Sequence, residues 1–135
     1  MDCVILAGGK GTRMGEGPPK ALVLAQGIAI LDRQINYFND KVENIIVSLG
    51  HRAEEVVEHL KKEHADKNVT WVVEEEPLGT AGGLRLALAK TDADKIVVQN
   101  CDDIADVDLK KLEKCEDPTI CLAHPHLPFG LVEEH

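Results

Sequence analysis

Near the amino terminus, three glycines are followed by two cations at spacings that suit a phosphate chain. Gly8, Gly9 and Gly11 let the backbone turn tightly and bring bare N–H groups close to an anion. Arg13 and Lys20 flank this loop, and both side chains carry a positive charge. A nest of main-chain N–H groups beside two cations predicts a site that holds a triphosphate while its α-phosphorus is attacked.

Two better-known glycine loops do not fit this segment. The P-loop pattern is Gly-x-x-x-x-Gly-Lys followed by Ser or Thr. Aligned on Gly9 and Lys10, it would need a glycine at Val4 and a Ser or Thr at Gly11. The dinucleotide fingerprint, started at Gly9, would need its third glycine at Met14. A plain glycine-rich turn does not require Thr-Arg and Pro-Lys at these offsets, so the phosphate interpretation is favoured.

Two acidic residues stand where they could act on a bound nucleotide. Asp102 follows a hydrophobic run that ends in Asn-x-Asp-Asp, from which a carboxylate and an α-phosphate can share a Mg²⁺ ion. Glu74 is an acceptor-only group when ionised, and it could take both neighbouring donors of guanine, which favours GTP. A strand-end glutamate that faces water fits the same position, so both interpretations of Glu74 stay open.

The elements that would position these residues alternate along the chain. Apolar runs predict strands at 2–6, 44–49, 69–73 and 95–99, and helical spacing predicts helices at 30–39, 53–62, 80–90 and 108–114. Thr80 is the predicted N-cap of the third helix, and 119–123 and 131–133 predict two further strands. The alternation predicts an α/β fold: a doubly wound, mostly parallel sheet of the Rossmann-like kind in three layers, α/β/α, as one domain over 1–135.

The three polar segments are expected to meet, because ligands of such a sheet bind beyond the carboxyl ends of its strands. The glycine loop follows the first strand, residues 74–83 follow the third, and residues 100–103 follow the fourth. Gly79 allows close approach to a nucleoside, and the helix after it presents free N–H groups. The sequence therefore predicts one ligand site at this edge of the sheet.

Composition narrows the classes of function. Hydrophobic residues make up 44% and charged residues 29% of the chain, which suits a soluble α/β enzyme. A net charge of −9 and an aromatic content of 3% argue against nucleic acid as a partner. The sequence has no apolar run as long as a membrane span and no signal peptide, so no membrane partner is expected and a cytoplasmic location is favoured.

Cysteine and histidine spacing does not predict a metal centre. The cysteines lack Cys-x-x-Cys spacing and are expected to be buried free thiols: Cys3, Cys101, Cys115 and Cys121. Among the six histidines, His124 and His126 form the one pair at a metal-ligand spacing. That pair lies among prolines, and a metal site there is not expected.

Taken together, the motifs resemble those of the sugar-phosphate nucleotidylyltransferases. Their signature is similar to Ala-Gly-Gly-x-Gly-Thr-Arg-Met at residues 7–14 followed by Pro-Lys at 19–20. The similarity continues through residues 20–22, 30–34, 76–83 and 97–103. Those enzymes join a nucleoside triphosphate to a sugar 1-phosphate and release pyrophosphate, so the resemblance implies these two substrates, with Mg²⁺ as cofactor.

The resemblance also implies roles for individual residues. As catalytic residues, Arg13 would bind the β- and γ-phosphates and Lys20 the α-phosphate region or the incoming sugar phosphate, with Asp102 as metal ligand. The residues implied in nucleotide binding are Leu6, Ala7, Gly8, Gly9, Gly11, Thr12, Glu74, Leu78, Gly79 and Thr80. The family usually has Asn-Gly-Asp where this chain has Cys101 in place of the glycine, a departure that matters if the position needs a positive φ or a close approach to the nucleotide.

Subfamily and activity stay open at this stage. The short spacing from Arg13 to Lys20 resembles N-acetylglucosamine-1-phosphate uridylyltransferases, methylerythritol-phosphate cytidylyltransferases and molybdenum-cofactor guanylyltransferases, whereas residues 75–83 resemble mannose- and heptose-1-phosphate guanylyltransferases more. Family members continue beyond this length, which implies a truncated domain without the C-terminal sugar-binding half. The alternatives are an active transferase and a non-catalytic or regulatory nucleotide-binding domain; an incomplete sheet edge near 119–133 would favour a homo-oligomer.

Overall fold

The computed structural model describes residues 1–11 and 17–122. Its strands are β1 (Asp2–Ala7), β2 (Leu24–Ala25), β3 (Ile28–Ala29), β4 (Ile45–Leu49), β5 (Val69–Val73) and β6 (Ile96–Asn100). Its α-helices are α1 (Ile30–Phe38), α2 (Ala53–Glu63), α3 (Gly79–Leu88) and α4 (Leu109–Glu113), and a 3₁₀ turn covers Lys20–Leu22.

Four parallel strands form the central sheet in the order β5-β4-β1-β6. β1 lies between β4 and β6, with Val4 opposite Ile46 on one side and Val98 on the other. The chain steps from β1 outward through β4 to β5, and then returns to place β6 on the opposite side of β1. The strand order therefore reverses next to β1, and the crevice beyond the carboxyl ends of β1 and β6 is the place where such sheets bind ligands.

Helices cover both faces of the sheet, and the larger core lies on the side of α1, α2 and α4. α1 buries Leu31, Ile35 and Phe38 at spacings of four and three, which is the stripe an amphipathic helix turns toward a sheet. Along β1, Ile5 joins this large core while its neighbour Val4 packs with Ala87 of α3 on the opposite face. The predicted doubly wound, three-layer fold is confirmed.

Within the described residues, the predicted central strands and the helices all occur, with ends shifted by no more than about two residues. One predicted cap is wrong: α3 begins at Gly79 with Leu78 at the N-cap position, so Thr80 lies inside the first turn. The carboxylate of Glu74 accepts a hydrogen bond from the Leu78 N–H at 3.0 Å, which places a negative charge beside the N-terminus of α3.

The two strands predicted near the carboxyl terminus have different outcomes. Residues 119–122 form no strand, and Ile120 and Leu122 are 79% and 87% exposed, so the apolar pattern there lacks a neighbouring strand to bond with among the described residues. Residue 123 and the predicted strand at 131–133 lie outside the described residues, as do His124 and His126.

A short hairpin was not predicted. β2 and β3 pair antiparallel across Gln26 and Gly27, whose φ angles are 53° and 79°. Two consecutive positive φ values are what the tight two-residue hairpin needs, and Gln-Gly is a weaker signal for it than Asn-Gly. The hairpin leads directly into α1.

The cysteine prediction is half confirmed. Cys3 and Cys101 are buried, and burial raises the pKa of each thiol to about 12, so both stay protonated. Cys115 is only partly buried and Cys121 is exposed, and both follow α4, the last helix of the described residues. Across the described ranges, the helices are all too short or too polar to cross a membrane.

Candidate nucleotide-binding site

A cleft of about 410 Å³ opens at the carboxyl ends of β1 and β6, where the strand order reverses. All three polar segments that the sequence singled out contribute to its wall. The lining residues are Leu6, Ala7, Gly8, Gly9, Lys10, Lys20, Ala21, Glu74, Pro77, Gly79, Thr80, Gly83, Asn100, Cys101 and Asp102. The fold therefore brings these three segments together, as expected.

The glycine loop reaches the cleft directly from β1, which ends at Ala7. Gly11 has a φ of +58°, the left-handed region that favours glycine, and a Cβ added there would lie 3.3 Å from the Cβ of Lys20. The loop thus folds back against Lys20, although Gly11 itself lines a smaller neighbouring cavity of about 60 Å³. Thr12 and Arg13 lie outside the described residues.

The far end of this loop is attached to α2. Arg52 immediately precedes α2 with a φ of 56°, and its guanidinium donates a hydrogen bond to the carbonyl of Gly17 at 2.5 Å. The same guanidinium forms two hydrogen bonds with Glu55, at 2.5 and 2.8 Å. Arg52 therefore links the first turn of α2 to the residues just before Lys20.

Lys20 and Asp102 form an ion pair at the edge of the cleft. Lys20 Nζ lies 2.6 Å from Asp102 Oδ2, although the two residues are 82 positions apart in the sequence. The hydrogen bond from Lys20 lowers the pKa of Asp102 below its ordinary value, so this carboxylate is ionised at neutral pH. The side chains are 38% and 44% exposed, which leaves both open to a ligand.

Cys101, which replaces the glycine usual in the resembling family, causes no backbone strain. Of the described residues other than glycine, Gln26 and Arg52 are the ones with positive φ, so Cys101 has ordinary backbone geometry. Its N–H donates to the carbonyl of Leu6 at 3.0 Å, which extends the ladder between β6 and β1 by one residue. The residue is 5% exposed and belongs to the large core, and it also contributes to the wall of the cleft next to Asp102.

Glu74 is half-buried at the end of β5 and lines the cleft. Glu74 Oε2 accepts the hydrogen bond from Leu78. Glu74 Oε1 lies 3.2 Å from the position that a Cβ on Gly8 would take, and 2.4 Å from the position of a Cβ on Gly83. The side chain thus occupies a space that two glycines leave free, rather than extending into water. Leu78 itself is 50% exposed and lies outside the cleft wall.

A second polar cluster was missed by the sequence analysis. Asp32 Oδ1 lies 2.8 Å from His59 Nε2 and 2.7 Å from His64 Nε2, on the face of the sheet that carries α1 and α2. Burial raises the pKa of Asp32, but the hydrogen bonds from His64 and His59 outweigh it, and the net pKa is lower than usual. The signal in the sequence was weak, because the histidines are five residues apart and the aspartate belongs to another helix.

The fold and the cleft together define an α/β domain with a ligand cleft where its strand order reverses, and comparison with known proteins identifies its family. The family model described as "MobA-like NTP transferase domain" matches residues 3–112. Because the match covers most of the chain, this protein belongs to that family. The resemblance to sugar-phosphate nucleotidylyltransferases is confirmed.

Individual relatives give the same result. The chain is 31% identical over 127 residues to D-glycero-alpha-D-manno-heptose 1-phosphate guanylyltransferase from Campylobacter jejuni, covering 91% of this chain and 57% of that protein. It is 38% identical over 120 residues to mannose-1-phosphate guanyltransferase from Saccharomyces cerevisiae, covering 83% and 33%. A crystal structure of HddC from Yersinia pseudotuberculosis complexed with GMP-PN matches with a TM-score of 0.75 and 36% identity, covering 84% and 52%.

In each of these comparisons the chain spans less than two thirds of the relative's own length, at 57%, 33% and 52%. The similarity therefore covers the part of these proteins that corresponds to the sheet and cleft described above.

Proposed function

We propose that this protein transfers a nucleoside monophosphate from a nucleoside triphosphate, with GTP favoured, to a sugar 1-phosphate. The observation that carries the proposal is the cleft at the strand reversal, where the glycine loop, the Lys20–Asp102 pair and the start of α3 share one wall. The similarity to two sugar-1-phosphate guanylyltransferases supports the same reaction.

In the proposed reaction, an oxygen of the sugar phosphate attacks the α-phosphorus in line with the departing pyrophosphate. A bond forms from that oxygen to the α-phosphorus, and the bond from the α-phosphorus to the oxygen bridging to the β-phosphate breaks. N–H groups of the loop at Gly8 and Gly9 would hold the phosphates, and Arg13 would bind the β- and γ-phosphates, where negative charge builds up. Lys20 would neutralise the α-phosphate region.

Asp102 is the residue proposed to hold a divalent metal, and its chemistry fits Mg²⁺. Enzymes of this family commonly use divalent metals. The carboxylate is ionised, 44% exposed and adjacent to the cleft. Mg²⁺ is usually held by one or two carboxylates together with substrate phosphates and water, so a single carboxylate at this edge is sufficient. Mg²⁺ would supply charge neutralisation on the phosphates.

The proposal of GTP depends on Glu74. Two of the relatives are guanylyltransferases, and the HddC structure contains GMP-PN. Glu74 lines the cleft, and each carboxylate oxygen can accept two hydrogen bonds, so the bond from Leu78 to Oε2 still leaves acceptors for the N1–H and N2–H₂ of guanine.

Nucleoside triphosphates and sugar 1-phosphates are small intracellular metabolites, and this supports a cytoplasmic location.

Pyrophosphate release tests the proposal. The chain is incubated with Mg²⁺, each of the four ribonucleoside triphosphates, and a panel of hexose and heptose 1-phosphates, and binding is followed in parallel by NMR of the amides of residues 7–11. We expect turnover with GTP and one class of sugar 1-phosphate. GTP binding without turnover across the panel would instead support a non-catalytic nucleotide-binding domain, and unmoved amides with all four nucleotides would contradict both.

A further inference from the structure

The cluster of Asp32, His59 and His64 brings three metal-ligating groups to one point between α1 and α2. Asp32 lies in the first turn of α1, His59 lies within α2, and His64 is the C-cap residue of α2. Both histidines direct Nε2 at the same carboxylate oxygen, at 2.8 and 2.7 Å, and the three ligand atoms all lie within 4.8 Å of one another.

This spacing is close to that of a zinc site. With metal–nitrogen bonds of 2.0–2.1 Å, neighbouring ligands of a tetrahedral zinc are about 3.3 Å apart. The two separations between Asp32 Oδ1 and the histidine nitrogens are about half an ångström shorter than that, so this oxygen must move away from both imidazoles to admit an ion. Two imidazoles and one carboxylate suit Zn²⁺ better than Mg²⁺, which prefers oxygen ligands and six-coordinate geometry.

Burial gives the cluster a closed side and an open side. The side chain of His64 is 3% exposed, whereas those of Asp32 and His59 are 18% and 24% exposed. A metal ion could therefore enter from the His59 side and keep a water molecule as its fourth ligand. Asp32, His59 and His64 are absent from the described residues that line the nucleotide cleft.

Lys67 controls which ring nitrogen of His64 carries the proton. Lys67 Nζ lies 3.0 Å from His64 Nδ1 and 2.6 Å from Asn36 Oδ1. Because an ammonium group can only donate, Nδ1 is the unprotonated nitrogen, and Nε2–H donates to Asp32. A metal on Nε2 would move the ring proton to Nδ1, where it would face the Lys67 ammonium.

We propose that Asp32, His59 and His64 form a binding site for one zinc ion, which joins α1 to the carboxyl-terminal end of α2 and stabilises the domain. The site depends on neither the nucleotide cleft nor the proposed transferase activity. Lys67 weakens zinc binding, because its ammonium must release His64 Nδ1 before the imidazole can bind a metal through Nε2. On metal binding, His64 would release its Nε2 proton to solvent and take one on Nδ1, so this imidazole would remain neutral.

Zinc titration of the full chain tests this site. The chain is freed of metal with a chelator, held in excess Mg²⁺ to occupy sites that prefer hard cations, and titrated with Zn²⁺ by calorimetry at neutral pH. We expect one zinc per chain and a higher midpoint of thermal unfolding with zinc. D32N and H59Q should each weaken binding by at least about tenfold, and K67Q should tighten it, because the glutamine oxygen can accept the Nδ1 proton.

Matched variants exclude other ligands. H51Q removes a histidine outside the cluster, and D102N removes the carboxylate of the cleft; neither should change zinc affinity. With Co²⁺ as the probe, the cluster should give a ligand-field spectrum without a thiolate charge-transfer band. A zinc affinity that D32N and H59Q leave unchanged, a thiolate band, weaker binding in K67Q, or no saturable binding would overturn the proposal.

Discussion

The cleft and the histidine cluster are both polar, yet the sheet places them in different surroundings. In the cleft, the side chains of Lys20 and Asp102 are 38% and 44% exposed. In the cluster, the side chains of Asp32 and His64 are 18% and 3% exposed. A ligand can displace an exposed ion pair at small cost, because such a pair contributes only about 0–1 kcal/mol to the free energy of unfolding. Removing one partner from a buried polar cluster lowers the free energy of unfolding by about 1–3 kcal/mol, because the remaining group is left without a hydrogen bond.

The difference follows from the elements that carry each group. Lys20 and Asp102 line the cleft at the carboxyl edge of the sheet, whereas Asp32 and His59 lie on helices that cover the large core. Substitutions in the cleft should therefore change activity at nearly constant stability. Substitutions in the cluster should change stability at nearly constant activity.

The largest effect on activity is expected for Arg13→Ala. If the guanidinium stabilises charge on the departing pyrophosphate, its removal should lower kcat by at least about 100-fold. The midpoint of thermal unfolding, followed by circular dichroism, should stay near that of the unsubstituted chain. Pyrophosphate release measures the activity, and unchanged turnover would remove the role assigned to Arg13.

Asp102→Asn should lower the rate of pyrophosphate release by about tenfold or more, because the metal would lose its carboxylate ligand. The free energy of unfolding, measured with urea, should change by less than about 1 kcal/mol, as for an exposed ion pair. Asp92→Asn, at an exposed aspartate outside the cleft, is the matched control and should retain full activity. A large loss of stability in Asp102→Asn would break the proposed distinction between the two regions.

Gly50→Ala should change both properties, because Gly50 lies where the loop after β4 touches the glycine loop. A Cβ there would lie 2.7 Å from the carbonyl oxygen of Gly8, a contact that the backbone can relieve only by moving. We expect a loss of about 1–3 kcal/mol in the free energy of unfolding together with weaker GTP binding. Gly9→Ala is the control for stability, since a Cβ there meets nothing within 4 Å. Equal stability of the two variants would contradict the close contact.

Asp32→Asn should lower the free energy of unfolding at neutral pH by about 1–2 kcal/mol and leave pyrophosphate release unchanged. The pKa of Asp32 is lower in the folded chain than in the unfolded chain, so its contribution is full above the unfolded pKa of about 3.9 and is lost as the pH falls through the folded pKa. Urea unfolding between pH 7 and pH 3 should show a smaller loss in Asp32→Asn than in the unsubstituted chain. Parallel pH profiles would contradict this role for Asp32.

Much of the fold could be predicted, because periodicity alone reports which residues face a core. The spacing of Leu31, Ile35 and Phe38 indicated α1, and the apolar run at 44–49 indicated a strand, which the structure buries along its whole length. Predictions failed where a tertiary contact decided the outcome. Thr80 has the right residue type for a cap, yet α3 begins at Gly79, and Leu78 at the N-cap position donates its N–H to the carboxylate of Glu74.

The residues of the cleft were identifiable for a similar reason. Glycines and charges were grouped directly after predicted strands, and the rule that parallel strands end at one edge was enough to bring the groups together. The histidine cluster offered no such rule. Its members come from two helices, and their meeting depends on how those helices rotate and shift as they pack on the sheet.

The sequence by itself determined the alternation of strands and helices, the glycine loop with its cations, and the family to which the chain belongs, because these depend on local spacing. Only the tertiary structure decided that Lys20 pairs with Asp102 and that two histidines converge on one carboxylate. These are contacts between residues 27 or more positions apart. They form only after the sheet has brought its strands and helices together. Hydrophobic burial drives that step and is non-directional, so a sequence pattern indicates which residues are buried but not which distant residues they contact.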